Sequence, residues 1–147
     1  MQLSLYSDYA LRTLMYLALR KSEKASIEEI AKAYVISANH LVKVVHQLGK
    51  MGFIETVRGR GGGIFLTKQP SEIRVGDVVR RTENFVIVEC FDDVNNSCPI
   101  TSVCSLKGVL NEATQAFLKS LDQYSLEDLI VRQGGLRRIL KSRSKEP

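Results

Sequence analysis

The hexapeptide RGRGGG at residues 58–63 stands between two short β-rich runs, FIETV (53–57) and IFLT (64–67). Glycines permit positive φ and a tight tip, so this pattern predicts a protruding hairpin. Three segments with helical periodicity precede it. Residues 8–20 (DYALRTLMYLALR) place Leu11, Leu14, Met15 and Leu17–Ala18 at helical spacing, with Ser7 as the expected N-cap. Residues 26–34 (SIEEIAKAY) open with the capping box Ser26–Glu29. The third segment runs from Ser37 to Met51, with Leu41, Val44, Val45 and Leu48 on one face. Helix, helix, helix, hairpin is the order of a winged helix-turn-helix. A phosphate-binding loop would need a helix after the glycines, and a strand follows instead. The expected fold class is mainly α with a small β-hairpin wing.

In that arrangement the third segment is the recognition helix, and its first residues face the major groove. They are Ser37, Ala38, Asn39 and His40, with Lys43 one turn further on. Asn can bond adenine through two hydrogen bonds, and Lys can reach guanine or phosphate. Arg58 and Arg60 at the hairpin tip suit a narrow, electronegative minor groove. Charge agrees with this. The chain carries +5 overall, and residues 1–70 hold ten Lys and Arg against five Asp and Glu. A basic N-terminal half fits a polyanion partner, and with a winged head the expected partner is double-stranded DNA.

After Pro70 a short helix, VGDVVRRT, is expected, followed by a polar loop over 83–104. A long amphipathic helix spans 105–122, with Leu106, Val109, Leu110, Ala113, Phe117, Leu118 and Leu121 as its apolar positions. It is the expected dimerisation helix, because such a stripe must be buried and a homodimer would set two heads on adjacent half-sites. Ser125 caps a shorter helix, SLEDLIVRQ, which Gly134–Gly135 should stop, leaving a basic, fraying tail. The expected organisation is 1–70 as DNA-binding domain, 71–104 as connecting helix and cysteine loop, and 105–147 as dimerisation and C-terminal helices. No run of 18 apolar residues and no secretion signal is present, so a cytoplasmic protein without membrane contact is expected.

All three cysteines lie in residues 89–104, ECFDDVNNSCPITSVC, with spacing Cys90-x7-Cys98-x5-Cys104. Three thiols cannot all pair within one monomer, and structural disulfides are rare in the cytosol. Structural zinc calls for four ligands in closely spaced pairs, and the only histidines, His40 and His46, fall on the recognition helix. A catalytic thiol would want a nearby His or a Cys-x-x-Cys partner. An iron–sulfur cluster fits thiolates better, with one iron left for another ligand. No catalytic constellation is visible. A small electron carrier and an iron-free thiol switch remain as alternatives; the DNA-binding head argues against the first.

The combination of SDYALR (7–12), SANHLVKVVHQLGKMGFIETVRGRGGGI (37–64), IRVGDVVR (73–80) and the cysteine motif followed by SLKGVLNEA (105–113) resembles the iron–sulfur winged-helix transcription regulators. The match runs through nearly the whole chain in order. One branch of that family has closer first and second cysteines and a histidine three residues past the third; here that position is Lys107. The longer gap and VECFDD…NSCPITSVCSLK are similar to the nitric-oxide-sensing repressors. This resemblance implies a [4Fe–4S] cluster, with [2Fe–2S] as the alternative, held by Cys90, Cys98 and Cys104. It also implies that Asp8 from the other subunit is the fourth ligand. Arg12 and Lys107 are candidates to balance the cluster's negative charge. Nitric oxide would nitrosylate the irons, release Asp8 and lower operator affinity. Iron–sulfur status or redox sensing is the alternative signal within the family.

Overall fold

The computed structural model describes residues 2–21 and 23–144. Helix α1 spans Leu5–Leu19, α2 Ile27–Tyr34 and α3 Ala38–Lys50. Strands β1 (Ile54–Val57) and β2 (Gly63–Leu66) pair antiparallel, with Ile54 opposite Leu66 and Val57 opposite Gly63. Then come α4 (Val75–Thr82), α5 (Ser105–Leu121), α6 (Leu126–Leu129) and α7 (Gln133–Ser144). This is the mainly helical winged fold that the sequence predicts.

The first helix begins earlier than its apolar pattern suggests. Ser4, not Ser7, is the N-cap: its Oγ accepts from Ser7 N at 3.2 Å. Ser7 lies inside the helix, fully buried. The expected capping box of α2 is present, with Ser26 Oγ accepting from Glu29 N and Glu29 Oε2 accepting from Ser26 N. The turn between α2 and α3 puts Val35 in the left-handed region at φ 56°. A β-branched residue is disfavoured there, but the conformation lets its N–H and that of Ile36 cap the end of α2 through Ala31 O.

One core runs through the head and beyond it. Leu14 of α1, Ile30 of α2, Leu41 and Leu48 of α3 and Ile54 and Ile64 of the hairpin are all 2% exposed or less. Ile73, Val78, Leu126, Ile130 and Leu140 join the same cluster. Helix α4 has two apolar faces. Val78 faces that core, while Val75 and Val79 pack with Leu118 of α5 in a second cluster. The backbone beside α4 clamps the far end of α5, through Val75 N to Tyr124 O (3.0 Å) and Leu126 N to Ile73 O (2.8 Å).

The C-terminal region departs from expectation. SLEDLIVRQ gives only the single turn of α6, and the glycines expected to end a helix lie inside α7. Each glycine costs a helix about 1 kcal/mol relative to alanine. Docking offsets that cost: α7 packs on α2, Leu140 is buried, and Arg137 donates to Leu19 O at 2.6 Å. Residues 136–144 are therefore helical rather than frayed; 145–147 lie outside the described residues.

Candidate functional site

Helix α3 divides its residues as a recognition helix must. Leu41, Val44, Val45 and Leu48 are buried, and Ser37, Asn39, His40 and Lys43 are exposed. Ser37 is the N-cap but makes no side-chain cap hydrogen bond, so its hydroxyl is not committed to the helix. The hairpin tip turns on Gly59 (φ 89°) and Gly61 (φ 74°), closed by Gly62 N to Gly59 O at 2.9 Å. A Cβ on Gly62 would fall 2.3 Å from Val57 O, so only glycine fits. Arg58 and Arg60 are exposed on this tip, and neither makes an ion pair among the described residues. The structure thus gathers the six predicted DNA contacts on two exposed, uncommitted surfaces.

The start of α1 adds residues that the sequence did not single out. Leu5, Tyr6 and Tyr9 line an apolar groove together with His40, Lys43 and Val44 of α3. The same turn is fastened on another side to the end of α4. Glu83 Oε1 accepts from Ser4 N (2.6 Å) and Ser4 Oγ (2.8 Å), and Ser7 Oγ donates to Thr82 Oγ1 at 2.8 Å. Glu83 is also where the cysteine loop begins. Burial pushes its carboxyl up, but hydrogen bonds from Ser7, Ser4 and Asn84 outweigh this and hold it below the usual carboxylate value. The first turn of α1 therefore touches both the recognition helix and the root of the loop.

The three cysteines are free and half-buried. Cys90 sits in a single 3-10 turn, Glu89–Phe91. Cys98 N donates to Asn96 Oδ1 at 3.1 Å, and its carbonyl accepts from Thr101 Oγ1 at 2.8 Å. Glu89 Oε1 accepts from Ser97 N (2.7 Å) and Ser97 Oγ (2.6 Å), which ties the neighbour of Cys90 to the neighbour of Cys98. Cys104 is the N-cap of α5, and it borders a shallow hollow with Phe85, Phe91, Lys107 and Asn111. Lys107 is thus placed beside Cys104.

Asp8 lies in the first turn of α1 and is paired within its own chain. Arg12 Nε donates to Asp8 Oδ1 at 2.9 Å and Arg12 Nη2 to Oδ2 at 2.7 Å. The same guanidinium stands 6.0 Å from the centroid of the Tyr34 ring. Burial pushes the Tyr34 hydroxyl up to about 12, with Arg12 opposing the shift. Among the described residues, no three His, Cys, Asp or Glu side chains form a group that could hold a metal ion. Fit to an iron–sulfur cluster therefore rests on the donors. Past its anchorage at Glu83 and Phe85, the loop carrying the three half-buried thiols is fastened by short turns and one carboxylate–serine clip, so closing them round a group disturbs little packing. None of residues 80–113 is buried, a span that holds the whole loop and the first half of α5. Its exposed apolar side chains include Val94, Ile100, Val103, Leu106 and Val109.

Residues 3–132 match the model of a family described as "Rrf2: Iron-dependent Transcriptional regulator". The HTH-type transcriptional regulator NsrR of Bacillus subtilis (strain 168) is 51% identical over 143 residues, covering 96% of this chain and 98% of the relative. The NsrR of Geobacillus kaustophilus is 52% identical over 145 residues, covering 97% and 99%. Among solved structures, Staphylococcus aureus CymR in its oxidized form superposes with a TM-score of 0.69 at 26% identity, covering 89% of this chain and 97% of that one. T. potens IscR superposes with a TM-score of 0.72 at 24% identity, covering 88% and 86%.

Proposed function

The chain belongs to the Rrf2 family of transcriptional regulators, and from that premise we propose that it is a nitric-oxide-responsive repressor acting as a homodimer in the cytoplasm. DNA binding and repression are its activity; it is not an enzyme. Cys90, Cys98 and Cys104 would hold a [4Fe–4S] cluster, and the partner's Asp8 would complete it. When bound, the cluster supplies iron that nitric oxide can attack. The observation that carries this reading is the joint at the first turn of α1, where Ser4 and Ser7 hold the root of the cysteine loop and Leu5, Tyr6 and Tyr9 border α3.

Each side chain has a defined part. Asn39, His40, Lys43 and Ser37 read the major groove, and Arg58 and Arg60 enter the minor groove. Asp8 must leave Arg12 to cross to a partner. Their side chains are 37% and 42% exposed, and an exposed i,i+4 pair contributes only about 0.3–0.5 kcal/mol, so little opposes the exchange. Arg12 and Lys107 then offset negative charge near the carboxylate and near Cys104. A change in what Asp8 bonds shifts the first turn of α1, and with it the groove against His40 and Lys43. A bias of about 1.4 kcal/mol between two positions of that turn changes operator affinity tenfold.

Anaerobically isolated protein should be brown, contain iron and sulfide, and bind a duplex selected from random DNA. Nitric oxide should weaken that binding at least tenfold, and Cys98→Ala should lose most of its iron. Colourless, iron-free protein that binds the duplex tightly and ignores nitric oxide would replace this reading with a thiol switch. Mixed dimers locate Asp8. One Asp8→Ala chain paired with one Cys98→Ala chain keeps a single complete site if the carboxylate crosses between subunits. Both changes on one chain, paired with wild type, leave none.

A further inference from the structure

Positive charge continues past the wing. The backbone of Ala25 pairs with β2 through Ala25 N to Ile64 O (3.0 Å) and Ile64 N to Ala25 O (2.8 Å). Lys24 therefore lies at the root of the tip that carries Arg58 and Arg60; a Cβ on Gly63 would sit 3.1 Å from Lys24 Cβ. Arg20 and Lys21 occupy the same connection between α1 and α2. They line a groove whose opposite wall is α7, with Arg137 and Lys141. Gln133–Ser144 holds four cations, Arg137, Arg138, Lys141 and Arg143, and no acidic residue.

This helix is fixed, not a loose basic tail. Leu140 is buried, and Arg137 is bonded to the carbonyl of Leu19. Of the nearby acids, Glu23 and Glu29 face Arg20, at 3.8 and 3.7 Å, while Glu72 and Glu127 line a separate groove on the other side of Lys21. Lys21, Lys24, Arg138 and Arg143 are exposed and make no ion pair among the described residues. An array of cations on a rigid support, continuous with the wing, matches the regular charge of a duplex backbone, one phosphate per about 3.4 Å of each strand.

We propose that the band from the wing root across the α1–α2 connection to α7 binds the phosphates of duplex DNA flanking the operator. It rests on the assignment of α3 and the wing as the operator contacts. Its contribution is independent of base sequence, because phosphate contacts position a protein without specifying bases.

The test uses the full chain, isolated anaerobically, and its Arg138→Gln/Arg143→Gln variant. The probes are a core duplex selected from random DNA by the wild type, and the same core extended by about ten base pairs, one helical turn, on each side. Wild type should bind the extended duplex severalfold more tightly, with a salt dependence steeper by about one logarithmic unit per added phosphate contact. The variant, with unchanged circular dichroism, should match wild type on the core and gain nothing from the flanks. Equal affinity of wild type for both duplexes overturns the proposal, as does equal weakening of the variant on both. Binding to phosphatidylglycerol vesicles that the variant loses, without any flank effect, reassigns the band to a lipid surface. Selection of no duplex at all removes the operator assignment and the proposal together; flank-independent binding removes the proposal alone.

Discussion

Glu83 receives two hydrogen bonds from Ser4, a residue 79 positions away, and so fixes where the first helix begins. Glu83→Gln should free the first turn of α1 while leaving the helix otherwise intact. The amide oxygen of Gln still accepts but without the charge that strengthens both bonds, so amide exchange at Ser7 and Asp8 should quicken about fivefold, on the scale of ~1 kcal/mol. The carboxyl is held below its ordinary value of 4.5. A depressed carboxyl contributes stability that is fully present above its unfolded pKa and is lost as pH falls through its folded pKa. In wild type the protection of this turn should therefore be constant at neutral pH and fall only below about 4.5, whereas the Glu83→Gln variant should show no such step. A step of equal size in both proteins would assign it to another acid.

Helix α4 couples the head to α5 through a close contact at Gly76. Arg80 forms two hydrogen bonds with Asp122, just past the end of α5, and this guanidinium holds the Asp122 carboxyl below the usual range. Gly76 lies beneath the pair, where a Cβ would sit 2.0 Å from Asp122 Oδ1. Gly76→Ala should lower stability by about 1–3 kcal/mol, as overpacking does; an unchanged thermal midpoint would mean that Asp122 moves aside freely. No local pattern announces this glycine, whereas other parts of the fold were open to reading. The period of Leu41, Val44, Val45 and Leu48 and the glycines at 58–63 act over a few residues, so α3, the wing and the exposure of Asn39, Lys43, Arg58 and Arg60 were legible. The Ser4–Glu83 joint and the Arg137–Leu19 bond pair residues 79 and 118 positions apart, which no window of sequence reveals. The same long-range docking overrode the two glycines of α7. The cysteines were legible as a cluster along the sequence, but among the described residues no three His, Cys, Asp or Glu side chains form a group that could hold a metal ion.

Across the whole molecule, a long surface is left unfinished. Leu106 and Val109 are 58% and 60% exposed on α5, beside the exposed Val103 of the cysteine loop. Burying a leucine or valine side chain is worth about 1.5–3 kcal/mol, so a second copy is the expected cover. If the proposed homodimer forms here, Val109→Glu should convert it to monomer in sedimentation equilibrium while leaving the head folded; a variant that remains dimeric would place the subunit contact elsewhere, and a monomeric wild type would remove the dimer from the proposal. The bond from Arg137 to Leu19 has a consequence of another kind, in the order of synthesis. A ribosome makes the DNA-binding head first, yet the Leu19 carbonyl of α1 gains its Arg137 partner, and the core its Leu140, only when α7 emerges. A truncated or half-made chain would display a recognition helix on an unsealed core. The segment that seals it is made more than a hundred residues after α1, so the head is finished only once α7 has been translated.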